Sequence, residues 1–362
     1  MFSRFFKRDQ GPFTLTIEGL DKPIECDGKT FLLSAALREG IPIPYSCRVG
    51  GCGTCKVRLI EGKVKEFTDK TYLLSQEELQ QNYILACQSQ PRSNVRIHVD
   101  DLDLSAEARA SVHKETVREG TIAGTRVLTH DIVELTVELD GPMDYTAGEY
   151  ADISVPGVIE ESRSYSFSTK PDPENPNVVV FHVRKVSGGK FTEWLHGEDR
   201  VGSRLLVKGP YGDFWLRTAD APMVCVAGGS GMAPLKALLE QAVADGASRD
   251  CTYLFGARTQ KDLYCLDEMT QIQSQWKGQF KFVPVLSEEP EDSDWQGRRG
   301  LVTDLLTEIP NLSASHAYMC GPPPMLDAAL AVLEQSGVSE DHIHFDKFLD
   351  KSHLAKIDHT ES

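Results

Sequence analysis

The chain has 362 residues, enough for two or three domains that each bury a core of their own. Its net charge of −16 is uneven: residues 1–100 carry 14 Lys+Arg against 12 Asp+Glu, and residues 219–362 carry 11 against 22. An acidic C-terminal part argues against a phosphate-backbone partner, and no apolar run approaches the roughly 20 residues that span a bilayer, so neither nucleic acid nor membrane insertion is expected. Met1 to Arg8 is basic with three Phe but lacks the apolar stretch of a secretory signal, which points to the cytoplasm.

The first elements alternate as strands do. Phe13-Thr-Leu-Thr-Ile17 is apolar and polar in turn, and Lys22 to Cys26 is strand-like. Ser34 to Arg38 reads as a short helix. The loop that follows, Ser46-Cys47-Arg48-Val49-Gly50-Gly51-Cys52-Gly53-Thr54-Cys55, has the spacing C-x4-C-x2-C, and a fourth Cys stands at 87. That is the plant-type [2Fe–2S] pattern. Three thiolates from one short loop must converge on two irons, so the loop must curl, and its glycines permit the curl. A zinc site is the rival reading, but zinc modules usually pair two C-x2-C knuckles and only one is present. The odd total of nine Cys argues against a disulfide framework, and Cys26 reads as packed. Strands Lys56–Ile60 and Val95–Val99 close the segment, whose bounds we set at residues 12–100.

Residues 101–115 are polar, acidic and aperiodic, and read as a linker. Short alternating stretches then follow over residues 116–218: Thr121–Thr129, Ile132–Leu139, Tyr150–Val155, Val178–Arg184 and Arg204–Val207. This predicts a small antiparallel barrel. Its residue types suit a flavin nucleotide. Arg163 can clamp a pyrophosphate, Tyr165 offers an aromatic face, and Ser166 can hydrogen-bond a polar ring edge. Gly188 and Gly189 lead into a predicted helix, Phe191–Leu195, as phosphate-binding turns do.

In residues 219–350 an apolar run, Met223–Ala227, predicts a buried parallel strand. It runs into Gly228-Gly-Ser-Gly231-Met-Ala-Pro234 and a helix over Leu235–Ala244, a strand–turn–helix suited to a dinucleotide pyrophosphate. Strands at Thr252–Phe255, Phe280–Val285 and His316–Cys320 alternate with helices at Asp262–Ser274, Val302–Thr307 and Leu326–Gln335. The pattern predicts a doubly wound sheet with ligands at its carboxyl ends, where Gly229, Gly231, Gly256 and Cys320 fall. Residues 351–362 form a tail.

Taken together, the three segments resemble the ferredoxin–NADP reductase superfamily fused to an N-terminal ferredoxin, and more narrowly the reductase components of bacterial multicomponent oxygenases. The resemblance implies a multidomain fold: a β-grasp ferredoxin (α+β), an antiparallel flavin-binding β-barrel, and an α/β doubly wound nucleotide-binding domain. It implies a [2Fe–2S] cluster on Cys47, Cys52, Cys55 and Cys87. It implies FAD on Arg163, Ser164, Tyr165, Ser166, His182, Arg184, Gly188, Gly189, Lys190 and Thr192. The nicotinamide nucleotide, NADH rather than NADPH, would lie on Gly229, Ser230, Gly231, Pro234, Gly256, Arg258, Gly321 and Pro322. Ser166, Cys320 and Phe348 would stand at the reacting rings, although 14 residues follow Phe348 and it is not terminal as in some relatives. Electrons would pass from NADH to FAD to the cluster and on to an oxygenase component or an intermediate ferredoxin. The same architecture could instead serve a deoxysugar dehydrase or a desaturase.

Overall fold

The structure is a computed structural model that describes residues 11–100, 102–110 and 112–348. The basic Phe-rich start and the tail at 351–362 lie outside the described residues. The chain divides into two compact units, one running through Lys114 and the other spanning Glu115–Phe348.

The first unit is built on a five-stranded sheet in the order Ile24–Cys26, Phe13–Ile17, Val95–His98, Lys56–Glu61, Tyr83–Leu85. Phe13–Ile17 buries Phe13, Leu15 and Ile17 and turns Thr14 and Thr16 outward, so the alternation in the sequence is the alternation of its two faces. The strand pairs antiparallel with Ile24–Cys26 and parallel with Val95–His98, the mixed pattern of a β-grasp. The helix Leu32–Arg38 buries Leu32, Leu33, Ala35 and Ala36. Cys26 is buried, as its strand-like setting predicts. The predicted linker is not wholly irregular. Ser105 Oγ accepts the Ala108 N–H and starts a five-residue helix, Ala106–Ala110, a local capping signal that the polar composition hides.

The second unit holds two sheets. The first is antiparallel, in the order Ile159–Ser166, Tyr150–Val155, Arg204–Tyr211, Thr116–Val127, Ile132–Leu139, Val178–Arg184. A bridge between Phe167 and Phe181 joins its two ends and closes a barrel around those same rings, whose centroids are 5.2 Å apart. The second sheet is parallel, in the order Arg298–Arg299, Phe280–Leu286, Cys251–Ala257, Met223–Gly228, His316–Gly321, Ile343–Lys347. Both its faces are buried. Cys225, Tyr253 and Tyr318 pack on one side with Leu235 and Leu238 of the helix Met232–Ala244. Val224, Leu254 and Met319 pack on the other with Leu326 and Ala329 of the helix Pro323–Gln335. Burial on both faces is why the strands read as continuous apolar runs. Two predicted helices differ. Val302–Glu308 is a 3-10 helix, and the stretch after Asp262 becomes α-helical only at Leu266, because Cys265 sits at φ 57° and breaks the chain there. Among the described residues no helix is long and apolar enough to cross a membrane.

Candidate redox centres

In the first unit the loop before Lys56 curls through positive φ at Arg48 (57°), Gly50 (76°) and Gly53 (78°). A side chain at Gly50 would start 2.9 Å from the Gln88 Cγ, so the loop closes against the segment that carries Cys87 only because residue 50 has no Cβ. Gln88 donates to the Arg48 carbonyl at 2.8 Å, and Tyr72 donates to the Gly50 carbonyl at 2.6 Å. The four thiols come together as two pairs. Cys47 donates a hydrogen bond to Cys52, which raises the Cys47 pKa and lowers that of Cys52. Cys55 donates to Cys87, with the same opposed shifts. A single tetrahedral ion would draw four sulfurs to one point. Among the described residues, however, the group whose ligand atoms all lie within 4.8 Å of one another is His130, Asp131 and Asp262, not the thiols. Two sulfurs for each of two irons is the arrangement that fits, and the Gly51 N–H already points at the Cys47 Sγ from 3.3 Å.

In the barrel, register fixes which predicted residues can meet. Arg163 and Tyr165 share one face of the strand Ile159–Ser166, and Ser164 and Ser166 share the other. Tyr165 is half-buried with its ring 5.3 Å from Phe191, the second residue of the helix Lys190–Gly197. The Gly188–Gly189 turn is therefore on the same side as Arg163 and Tyr165. Arg163 donates to the Ser162 carbonyl and to Glu161. Ser164 is committed to Asp152 at 2.7 Å. Thr192 accepts from the Val186 N–H at 3.0 Å and donates back into the turn, so its hydroxyl shapes the turn. Lys190 is exposed at the helix start, and Ser166 is buried.

His182 and Arg184 lie on the neighbouring strand and face the parallel sheet. His182 is fully buried against Tyr264; its Nε2 lies 3.7 Å from the Glu134 carboxylate, and its Nδ1 has no partner. A buried nitrogen without a partner fits a ligand seated here. Tyr264 in turn donates to the Gly229 carbonyl at 3.0 Å, which ties the barrel strand to the nucleotide turn.

That turn has Gly229 at φ 55° and Ser230 half-buried, and Gly231 opens the helix Met232–Ala244 with Pro234 in its first turn, where a missing N–H costs nothing. A Cβ at Gly231 would lie 2.1 Å from the Cys320 carbonyl oxygen, so the turn leaving Met223–Gly228 passes directly over the end of the neighbouring strand. Gly256 aligns with Gly228 one strand over. Gly321 and Pro322 lead into the helix Pro323–Gln335, and the Phe348 N–H donates to the Gly321 carbonyl at 3.0 Å, placing Phe348 at this same edge. Cys320 is fully buried, and burial holds its thiol well above the usual range, hence protonated.

The signatures of three families match in series: a 2Fe-2S iron-sulfur cluster binding domain over residues 15–92, an oxidoreductase FAD-binding domain over 119–215, and an oxidoreductase NAD-binding domain over 225–330. The xylene/toluene monooxygenase electron transfer component XylA of Pseudomonas putida is 40% identical over 355 residues, 96% of this chain and 99% of its own length. The chain belongs to this family of iron–sulfur flavoprotein reductases. The phenol 2-monooxygenase reductase component DmpP of a Pseudomonas species is 32% identical, over 93% of this chain and 94% of that protein. Among solved structures, the Amycolatopsis cytochrome P450 reductase GcoB aligns with a TM-score of 0.78 at 31% identity, covering 93% of this chain and 98% of that one. The ferredoxin reductase of carbazole 1,9a-dioxygenase aligns at 0.70 and 30%, with the same coverage.

The reductase also uses residues that the motifs do not announce. Lys236, buried on the helix behind the nucleotide turn, donates to the Ser168 carbonyl at 3.0 Å and pairs with Glu240. A Lys inside an apolar helical stretch is the one signal that could have found it. Arg126 grips Glu134 with two nitrogens at 2.9–3.0 Å and reaches Glu268 of the nucleotide half at 3.2 Å. His182 and Arg126 hold the Glu134 carboxyl down to about 2. Because the folded pKa is depressed below its ordinary 4.5, the stability it contributes is complete above pH 4.5 and is lost as pH falls through 2. Glu134→Gln is expected to lower stability by about 2 kcal/mol at neutral pH, with the difference from wild type shrinking below pH 4.5. Thermal unfolding followed across that range measures it, and a difference independent of pH would contradict the ion-pair account.

Proposed function

We propose that this reductase carries electrons from NADH through FAD and a [2Fe–2S] cluster to the oxygenase component of a multicomponent oxygenase. The observation that carries the reading is the pairing of Cys47 with Cys52 and of Cys55 with Cys87 in one unit, joined to a unit whose nucleotide turn is tied to its barrel by Tyr264. Relatives named as monooxygenase and dioxygenase reductase components supply the acceptor class. Bound FAD supplies the change from a two-electron hydride donor to single electrons, and the bound cluster supplies one-electron carriage.

The protein's own groups bind and place. Cys47, Cys52, Cys55 and Cys87 hold the irons. Arg163, Tyr165, Ser166 and the turn around Gly188, Gly189 and Lys190 receive FAD, and His182 offers it a buried nitrogen. Gly229, Ser230 and Gly231 receive the pyrophosphate of the nicotinamide nucleotide, with Pro234 setting the helix start and Gly256, Gly321 and Pro322 forming the floor. Cys320, keeping its proton, acts as a close-packed wall at the nicotinamide, and Phe348 closes the edge beside it. No side chain need exchange a proton as acid or base. The reconstitution test combines the full chain, NADH and a multicomponent-oxygenase hydroxylase component of the class its relatives serve. Oxygenated product should require all three. If cytochrome c reduction is intact but no oxygenase is served, a dehydrase or desaturase acceptor takes its place.

The preference for NADH rests on Asp262. No acidic residue follows Gly256 at once, yet the 3-10 turn Gln260–Asp262 returns a carboxylate to the strand end. It accepts from Thr259 Oγ1 at 2.9 Å and from Arg258 at 2.8 Å, and Asp131 stands 3.6 Å from the same guanidinium. Burial pushes the Asp262 carboxyl up, but Arg258 and Thr259 outweigh it and hold it low, so it is ionised at neutral pH. A ribose 2′-hydroxyl can donate to it, whereas a 2′-phosphate meets two carboxylates and an Arg258 already engaged. We expect kcat/KM to favour NADH by about tenfold or more, and Asp262→Ala to narrow the ratio by a similar factor. A higher value for NADPH with the wild type would overturn this.

A further inference from the structure

The end of the parallel sheet remote from the nucleotide turn carries a basic cluster inside the acidic half of the chain. His316 opens the strand His316–Gly321, and His344 stands opposite Tyr318 on the edge strand Ile343–Lys347. Residues in parallel register share a face, so His316, Tyr318 and His344 point the same way. His342, just before the edge strand, stacks on His316 at 4.1 Å between centroids. Tyr318 lies 4.9 Å from His344. Arg249, just before the strand Cys251–Ala257, sits 5.8 Å over the Tyr318 ring. The Arg217 N–H donates to the Tyr318 hydroxyl at 3.0 Å.

The cluster is short of negative charge. Arg249 is 8% exposed; its side chain donates to the Arg217 carbonyl at 3.3 Å and also interacts with the Tyr318 hydroxyl. One of its guanidinium nitrogens, Nη1, is buried without a partner, as are His316 Nδ1 and His344 Nε2. The charges that act on His316 are His342, Arg249 and Arg217, all of one sign. The carboxylates nearby are engaged elsewhere, spaced along the strand or exposed. Asp213 is bound to the Arg217 guanidinium at 3.1 Å, Asp250 accepts the Gln279 N–H, Asp346 lies further along its strand beside Cys320, and Glu340 and Asp341, just before His342, are exposed to solvent. Three histidines alone would suggest a metal, but two guanidiniums repel a cation, and the three rings are not gathered within ligand distance. Orphaned donors, a buried guanidinium and neutral imidazoles that can charge on demand are what a small oxyanion needs.

We propose that Arg249, His316 and His344, with His342 as the outer wall, form a binding site for a small tetrahedral oxyanion, separate from the nucleotide site. No part of the electron path passes through it. Anion binding favours the imidazolium forms of His316 and His344, whose pKa values burial and the neighbouring cations hold down near 4 and 3, so binding takes up protons and tightens as pH falls.

The test is calorimetric titration of the full, cofactor-loaded chain with inorganic phosphate. Saturating NAD+ keeps the nucleotide site occupied, and chloride at matched ionic strength is the control. Wild type should bind phosphate saturably, with proton uptake, and more tightly at pH about 6 than at about 8. Arg249→Met and His316→Gln should each weaken binding by about tenfold or more. NADH–ferricyanide turnover should stay unchanged in both, which shows that they fold. No saturable heat with wild type, or equal phosphate affinity in wild type and both folded variants, overturns the site.

Discussion

Replacing Cys52 with serine is expected to lower cytochrome c reduction by more than about a hundredfold while leaving NADH-dependent ferricyanide reduction within about twofold of wild type. The reason is spatial and chemical at once. Cys52 is paired with Cys47, so its loss breaks one of the two sulfur pairs. Serine is a harder donor and does not replace a thiolate on iron. The flavin and nucleotide residues belong to the other compact unit, Glu115–Phe348, and share no ligand with the cluster loop. Ferricyanide can draw electrons from the flavin directly; cytochrome c is expected to draw them from the cluster. Loss of both activities in a folded, FAD-loaded variant would count against that order of carriers.

The second large effect is expected at Gly231. Its φ of −62° is open to any residue, so backbone freedom is not the issue. The Cβ of alanine would lie 2.1 Å from the Cys320 oxygen and 2.6 Å from its carbon, both backbone atoms that cannot swing aside. The strands Met223–Gly228 and His316–Gly321 must then part at their carboxyl ends, where the nucleotide is to sit. Gly231→Ala should cost about 2–4 kcal/mol and raise the KM for NADH by about tenfold or more. Denaturant unfolding and steady-state kinetics read the two effects separately. A variant of wild-type stability would mean that the packing is looser than these distances.

The cysteine spacing, the R-x-Y-S strand and the glycine turn after an apolar run were legible because each is a local solution to a local demand. The same holds for the central strands of the three large sheets, which announce themselves by alternation or by continuous apolarity; edge strands such as Arg298–Arg299 and Tyr83–Leu85 do not. What escaped is what register and turns bring together over long separations. Asp262 reaches the strand end only through a 3-10 turn, and a scan of the residues next to Gly256 passes over it. Lys236 meets Ser168 across 68 residues, and Arg126 meets Glu268 across 142. Thr192 and Ser164 have the right chemistry for a ligand, yet their hydroxyls are engaged by the protein itself. The edge strand Ile343–Lys347 reads as a closing string until its pairing with His316–Gly321 is seen.

Lys236 has a thermodynamic consequence. Its helix begins at the nucleotide turn, and its ammonium, little more than one helical turn along, is bonded to the carbonyl of Ser168, two residues beyond Ser166 on the strand that carries Arg163 and Tyr165. A ligand that draws the helix start into one position also fixes that strand end, and the reverse is equally true. Occupancy of the two nucleotide sites is then linked, and linkage is reciprocal: whatever factor NAD+ adds to the retention of FAD, FAD must add to the affinity for NAD+. The reductase would hold its flavin most firmly while the dinucleotide is bound.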